Sequence, residues 1–138
     1  MLLARLLKCI TLGDAPDKQS DGVSTENQKE ENMLDIGIVT YKIRPEGNVI
    51  DAVWYSTRYD SGKAGSGVAT GDTSNGFPGV YSITYYDPDG AVSGTFDLKI
   101  EENGDAFNLS YILDGEVLLR GIGLKTSDGL AAGYRRVD

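Results

Sequence analysis

Residues 79–100 read GVYSITYYDPDGAVSGTFDLKI. In the first half, Tyr81, Ile83 and Tyr85 alternate with Ser82 and Thr84. In the second half, Gly94, Phe96, Leu98 and Ile100 alternate with Thr95, Asp97 and Lys99. A period of two places alternate side chains on opposite faces of an extended strand, so each half is a strand with one apolar face. Between them lies Asp87-Pro88-Asp89-Gly90. Pro88 presets the first turn residue, the Asp side chains bond back to the local backbone, and Gly90 supplies a positive φ. The stretch is therefore an antiparallel hairpin.

The same pattern extends in both directions. Eight runs rich in Val, Ile, Thr and Tyr fall at roughly 34–44, 48–58, 64–71, 79–87, 92–101, 106–113, 116–124 and 129–137. Most of the breaks carry turn signals: Pro45-Glu46-Gly47, Asn103-Gly104, Asp114-Gly115 and Ser127-Asp128-Gly129. A repeat supports the hairpin reading. Val39-Thr40-Tyr41, Ile83-Thr84-Tyr85 and Leu109-Ser110-Tyr111 are each followed by an acidic residue, Gly, any residue and Val. Short connections imply antiparallel neighbours, because a parallel pair needs a crossover of a dozen residues or more. Eight meandering strands leave two bare edges unless the sheet closes. An all-β, eight-stranded antiparallel barrel is the economical solution, and a two-sheet sandwich is the alternative.

Composition bounds the rest. The chain has 138 residues, no His, one Cys and a formal net charge of −8. That length is one domain. The missing His removes His triads and His metal ligands, and one Cys allows no intrachain disulfide or thiolate cluster. The acidic balance disfavours nucleic acid and anionic membrane surfaces as partners. No apolar run approaches a transmembrane span.

Residues 1–12, MLLARLLKCITL, place Leu2, Leu3, Leu6, Leu7 and Ile10 on one helical stripe, interrupted by Arg5 and Lys8. No well-formed signal peptide is present, which reads as cytoplasmic. Residues 13–32 are polar and read as a flexible linker. Residues 33–138 form the barrel domain.

No motif for chemistry survives its structural requirement. Gly62-Lys63-Ala64-Gly65-Ser66-Gly67 resembles a phosphate loop but lies in strand-like sequence and opens no helix. Asp87-Pro88-Asp89-Gly90 begins like a calcium loop and lacks its remaining ligands. No nucleophile elbow occurs around Ser66, and Cys9 has no basic neighbour beyond Lys8. Asn108-Leu109-Ser110 is a glycosylation sequon on a strand, where it reads as unused. No catalytic residue, metal ligand or cofactor is expected.

The interior carries the remaining signal. Run 64–71 offers Gly65, Gly67, Ala69 and Gly71 on one face, opposite aromatic walls. Either the small strand makes room for rings, or the missing volume is a pocket. The pocket reading predicts a ligand wall of Trp54, Gly67, Tyr81, Tyr85, Phe96, Phe107, Tyr111 and Tyr134. Arg120, Arg135 and Arg136 would close the barrel over Trp54, meet an acidic ligand, or lie on the surface.

The stretch from Gly79 to Phe96 resembles hairpins of small calycin-type barrels, the avidin- and lipocalin-like folds. The resemblance is one of pattern over residues 36–137. It implies a meander barrel that binds a small apolar or amphipathic molecule in its mouth. Trp54 is the only Trp and lies on the second run, so no ligand or binding residue is carried over. The expected function is a non-catalytic small-molecule-binding barrel, with a homo-oligomer left open. The alternatives are an interaction barrel with a filled core and a cofactor-free isomerase or cyclase.

Overall fold

The computed structural model describes residues 36–59 and 62–137. The expectations for residues 1–12 and 13–32 lie outside the described residues. Eight strands follow in order: β1 (Gly37–Ile43), β2 (Val49–Ser56), β3 (Gly65–Thr70), β4 (Gly79–Tyr86), β5 (Val92–Asn103), β6 (Ala106–Leu113), β7 (Glu116–Lys125) and β8 (Leu130–Arg136). Each pairs antiparallel with its sequence neighbour, and β1 pairs with β8 to close the barrel. Closure removes both bare edges and with them the sandwich alternative. The second run ends earlier than expected, at Ser56, where the chain turns into a 3-10 helix over Thr57–Tyr59. β5 runs two residues longer, to Asn103.

Turn chemistry sets the register. Between β6 and β7, Asp114 and Gly115 hold φ of 53° and 82°. Two consecutive positive φ values give the tight hairpin turn whose twist matches that of paired strands.

The interior is built by setting large rings beside small residues. Tyr85 pairs with Gly67 on β3 and Gly94 on β5. Tyr134 pairs with Gly37 and Gly121, and Trp54 with Gly65. A Cβ built on Gly67 would sit 2.8 Å from the Tyr85 ring, and one on Gly65 would sit 2.5 Å from the Trp54 ring. The glycine wall is thus the floor on which the rings lie. Alternation of large and small residues is how a small barrel fills without voids.

Two strands depart from strict alternation. The β4–β5 register shifts between Tyr85 and Tyr86, which pair with Gly94 and Val92. Ser93 is the extra residue of this bulge. Ser93 and Gly94 are consequently both buried. The β6–β7 register shifts between Tyr111 and Ile112, which pair with Leu119 and Val117, leaving Leu118 as the extra residue. A bulge re-aims side chains and bends its strand. In β7, Leu118, Ile122 and Leu124 alternate out of phase with Val117 and Leu119, and the bulge resolves the conflict: Leu119 is buried, Leu118 packs partly against the core, and Ile122 and Leu124 face outward.

The end of the barrel reached by the β3–β4 connection is closed by residue 77. Phe77 is buried in the core from that loop. The Tyr81 hydroxyl, inside the same end, donates to the Phe77 carbonyl at 2.8 Å and lies 3.1 Å from the Gly76 carbonyl.

Candidate functional site

The eight residues expected to form one ligand wall divide between the two ends of the barrel. Trp54, Tyr85, Phe96, Tyr111 and Tyr134 gather at one end, joined by Ser93 and Leu119 around a small void. Tyr81 belongs to the opposite end with Phe77, and Phe107 pairs with Gly123 in the β6–β7 ladder away from that void. Gly67 is covered by the Tyr85 ring.

The aromatic end is a linked cluster. Ring centroids lie 6.3 Å apart for Trp54–Tyr85 and 6.2 Å for Tyr85–Phe96. Phe96–Tyr111 is 6.3 Å and Tyr111–Tyr134 is 5.9 Å. These separations fall in the favourable edge and tilted range. Trp54 Nε1 donates to the carbonyls of Ser66 (2.9 Å) and Tyr86 (3.1 Å).

A hydroxyl chain crosses the core. Tyr41 Oη lies 2.6 Å from Tyr85 Oη and 2.8 Å from Tyr111 Oη. Three strands far apart in sequence are tied at one buried point. Burial pushes the Tyr41 and Tyr85 phenols well above their ordinary value; the neighbouring phenols add to the shift of Tyr41, whereas for Tyr85 the charge of Tyr111 adds to it and the hydrogen bond with Tyr41 opposes it. Burial likewise raises Tyr111, to about 12. A phenolate here would lose its hydration, so all three stay protonated at neutral pH. They are hydrogen-bonding groups and poor proton acceptors.

The void among these residues measures ≈ 30 Å³, room for about two water molecules. Ser93 Oγ borders it, buried, with no hydrogen-bond partner among the described residues. Simple alternation turns Ser93 outward; only the bulge brings it in. The one signal in the sequence is the break of period between Val92 and Gly94.

The larger concavity lies outside the barrel. An open groove of ≈ 1020 Å³ crosses β6, β7 and β8 and reaches the chain on either side of the β1–β8 seam. Arg120, Arg135 and Arg136 line it, with Ser110, Ile36 and Ile122. The arginines therefore lie in this groove and do not close the barrel over Trp54. Among the described residues no carboxylate forms an ion pair with any of the three. Gly133 forms part of the lining, and a Cβ placed on it would meet only the Gly37 carbonyl, at 3.7 Å. The backbone does not need glycine there; the missing side chain leaves the groove open.

Among the described residues no cluster of His, Cys, Asp and Glu could hold a metal ion. Among the described residues no helix is long and apolar enough to cross a membrane. The site and fold define a class: a small closed up-and-down β-barrel with an aromatic core and a basic outer groove. Comparison with protein-family models, curated proteins and solved structures returns no match. The architecture is consistent with a calycin-like barrel, and no relative ties the chain to that family.

Proposed function

We propose that the chain is a non-catalytic interaction barrel, with its interior filled and its working surface on the outside. The carrying observation is the contrast in size between the interior void, ≈ 30 Å³, and the outer groove, ≈ 1020 Å³. Pockets that enclose small ligands run to about 300–1,000 Å³. The protonated state of the buried phenols supports the non-catalytic part, since a general base works with a pKa near the operating pH. Native mass spectrometry of the full chain, before and after denaturation, tests the reading. The expected spectrum is the bare chain mass in both. An added small-molecule mass that is lost on denaturation and retained by Arg120→Gln/Arg135→Gln places the ligand away from the outer groove and overturns it.

One observation favours a second reading, a small ligand held at the aromatic end. Ser93 Oγ is a buried polar atom aimed at an apolar void and without a protein partner. Such an atom costs free energy unless something satisfies it. A ligand with a hydrogen-bonding head and a flat apolar body fits these residues if Tyr134, half-buried, swings outward. The same mass spectra decide between the two.

A further inference from the structure

We propose that the outer face of β7, β8 and β1 docks on an anionic lipid surface. The inference rests on the outer-surface reading above and names its partner. Across these strands the residues 120–125, 130–136 and 37–43 contain no Asp or Glu. Arg120 pairs with Arg135 in the β7–β8 ladder. The next outward row is Ile122, Gly133 and Ile38, and the row after it Leu124, Ala131 and Thr40, continuing to Val53 on β2. At the far end Lys42 lies opposite Asp51 on β2. An aliphatic band therefore runs from the arginine pair across the face. Ile122 is 70% exposed, Ile36 65%, Leu124 60% and Ile38 54%.

Charge selects the occupant. A second copy would bring like charge against like. The chain as a whole carries −8, but a charged surface is sensed within a Debye length of about 8–10 Å, so the acid-free face meets a membrane before the acidic loops do. Among the described residues the three arginines have no carboxylate partner. Arg meets phosphate bidentately. Glu101, on the groove's far wall, is held by Lys99 at 3.4 Å.

The apolar rows select lipid over an acidic protein. Aliphatic side chains beside basic ones suffice for the headgroup boundary. Protein hot spots draw on Trp and Tyr anchors seated in pockets, and the rows here present Ile, Leu and Val. The barrel is closed, so it has no free edge for strand addition. The chain enters the barrel at Ile36, on this same face. The arginine pair and the aliphatic rows are two weak signals on one face, which is what reversible membrane anchoring requires.

The test is co-sedimentation of the full chain with phosphatidylcholine vesicles, with or without about one-third phosphatidylglycerol. The expected result is binding to the anionic vesicles only, weakening as salt rises. The double variant Arg120→Gln/Arg135→Gln should lower partitioning about 30-fold. Ile122→Ser/Leu124→Ser should lower it at least about tenfold, and all four positions are outside the core. Unchanged partitioning in both variants overturns the assignment of the face. Binding to polyglutamate without binding to vesicles also overturns it, in favour of an acidic protein. Amide NMR shifts on adding short-chain phosphatidylglycerol separate this inference from the reading beneath it. Shifts at Ile38, Ile122 and Leu124 support both. Shifts confined to Ser93, Leu119 and Tyr134 overturn both. No vesicle binding, with the bare mass in the native spectrum, overturns the lipid proposal alone.

Discussion

Replacing Tyr41 by Phe should do more damage than one lost hydroxyl suggests. Its Oη is the shared partner of Tyr85, at 2.6 Å, and Tyr111, at 2.8 Å. All three residues are buried. Leaving a buried hydroxyl without a partner costs about 1–3 kcal/mol. Tyr41→Phe takes the shared partner from both and leaves Tyr85 and Tyr111 only each other, so about 3 kcal/mol is expected, the upper end of that range. Tyr85→Phe or Tyr111→Phe leaves Tyr41 its other partner and should cost about 1 kcal/mol. The triple variant Tyr41→Phe/Tyr85→Phe/Tyr111→Phe removes all three hydroxyls of this network while keeping the rings. It should lie closer to the parent than Tyr41→Phe alone, because paired polar groups exchanged together for apolar ones of the same shape are nearly neutral. Urea unfolding of the singles, doubles and triple gives the coupling energies directly. A cost for Tyr41→Phe no larger than for Tyr85→Phe refutes the central role. A triple variant whose cost equals the sum of the singles refutes the network.

Alkaline pH should unfold the barrel. The Tyr41, Tyr85 and Tyr111 phenols are raised in the fold, whereas the unfolded chain ionises near pH 10. Above that value the unfolded state has lost protons the folded state keeps, so stability is full below pH 10 and falls as pH rises towards 12, by about 1.4 kcal/mol per pH unit for each group. Unfolding midpoints that do not change between pH 9 and pH 11.5 would refute the burial of these phenols. Gly67→Leu should destabilise by about 1–3 kcal/mol or more, since its Cβ meets the Tyr85 ring and the Thr84 carbonyl at 2.8 and 3.2 Å. Gly133→Leu, facing the open groove, should stay within about 0.5 kcal/mol of the parent; equal melting temperatures for the two leucine variants would overturn the assignment of inside and outside. Ser93→Ala should be neutral or stabilising by up to about 1 kcal/mol if its hydroxyl has no partner. A loss of more than that in thermal unfolding means that the hydroxyl is satisfied in solution.

The sequence by itself determined the strands and their order, and favoured closure. Period-two alternation in Tyr81–Tyr85 and Gly94–Ile100, with an Asp-Gly or Pro-Asp-Gly signal between runs, is local information that one pass along the chain reads. Closure was the economical way for eight short-linked strands to satisfy their edges, and the pairing of β1 with β8 decided it against a sandwich. It also gave the inward faces of β2, β3 and β6, since an alternating strand has one face to bury. Tertiary structure decided which inward residues share an end. That depends on the stagger of strands around the barrel, and it separated Tyr81 and Phe107 from Trp54, Tyr85, Phe96, Tyr111 and Tyr134. It decided that the glycines of β3 carry rings, because a pairing such as Gly67 with Tyr85 is set by cross-strand register. The bulges at Ser93 and Leu118 left only a break of period in the sequence: each inserts one residue against its partner strand, and nothing in the residue's own type announces it. The hydroxyl chain from Tyr85 through Tyr41 to Tyr111 spans 44 and 70 residues of sequence. The basic outer groove brings Arg120 to Arg135 and Ile36 to β8 across the seam. Both exist only once β1 has found β8, since charge and hydrogen bonding act through space and the sequence orders residues along a line.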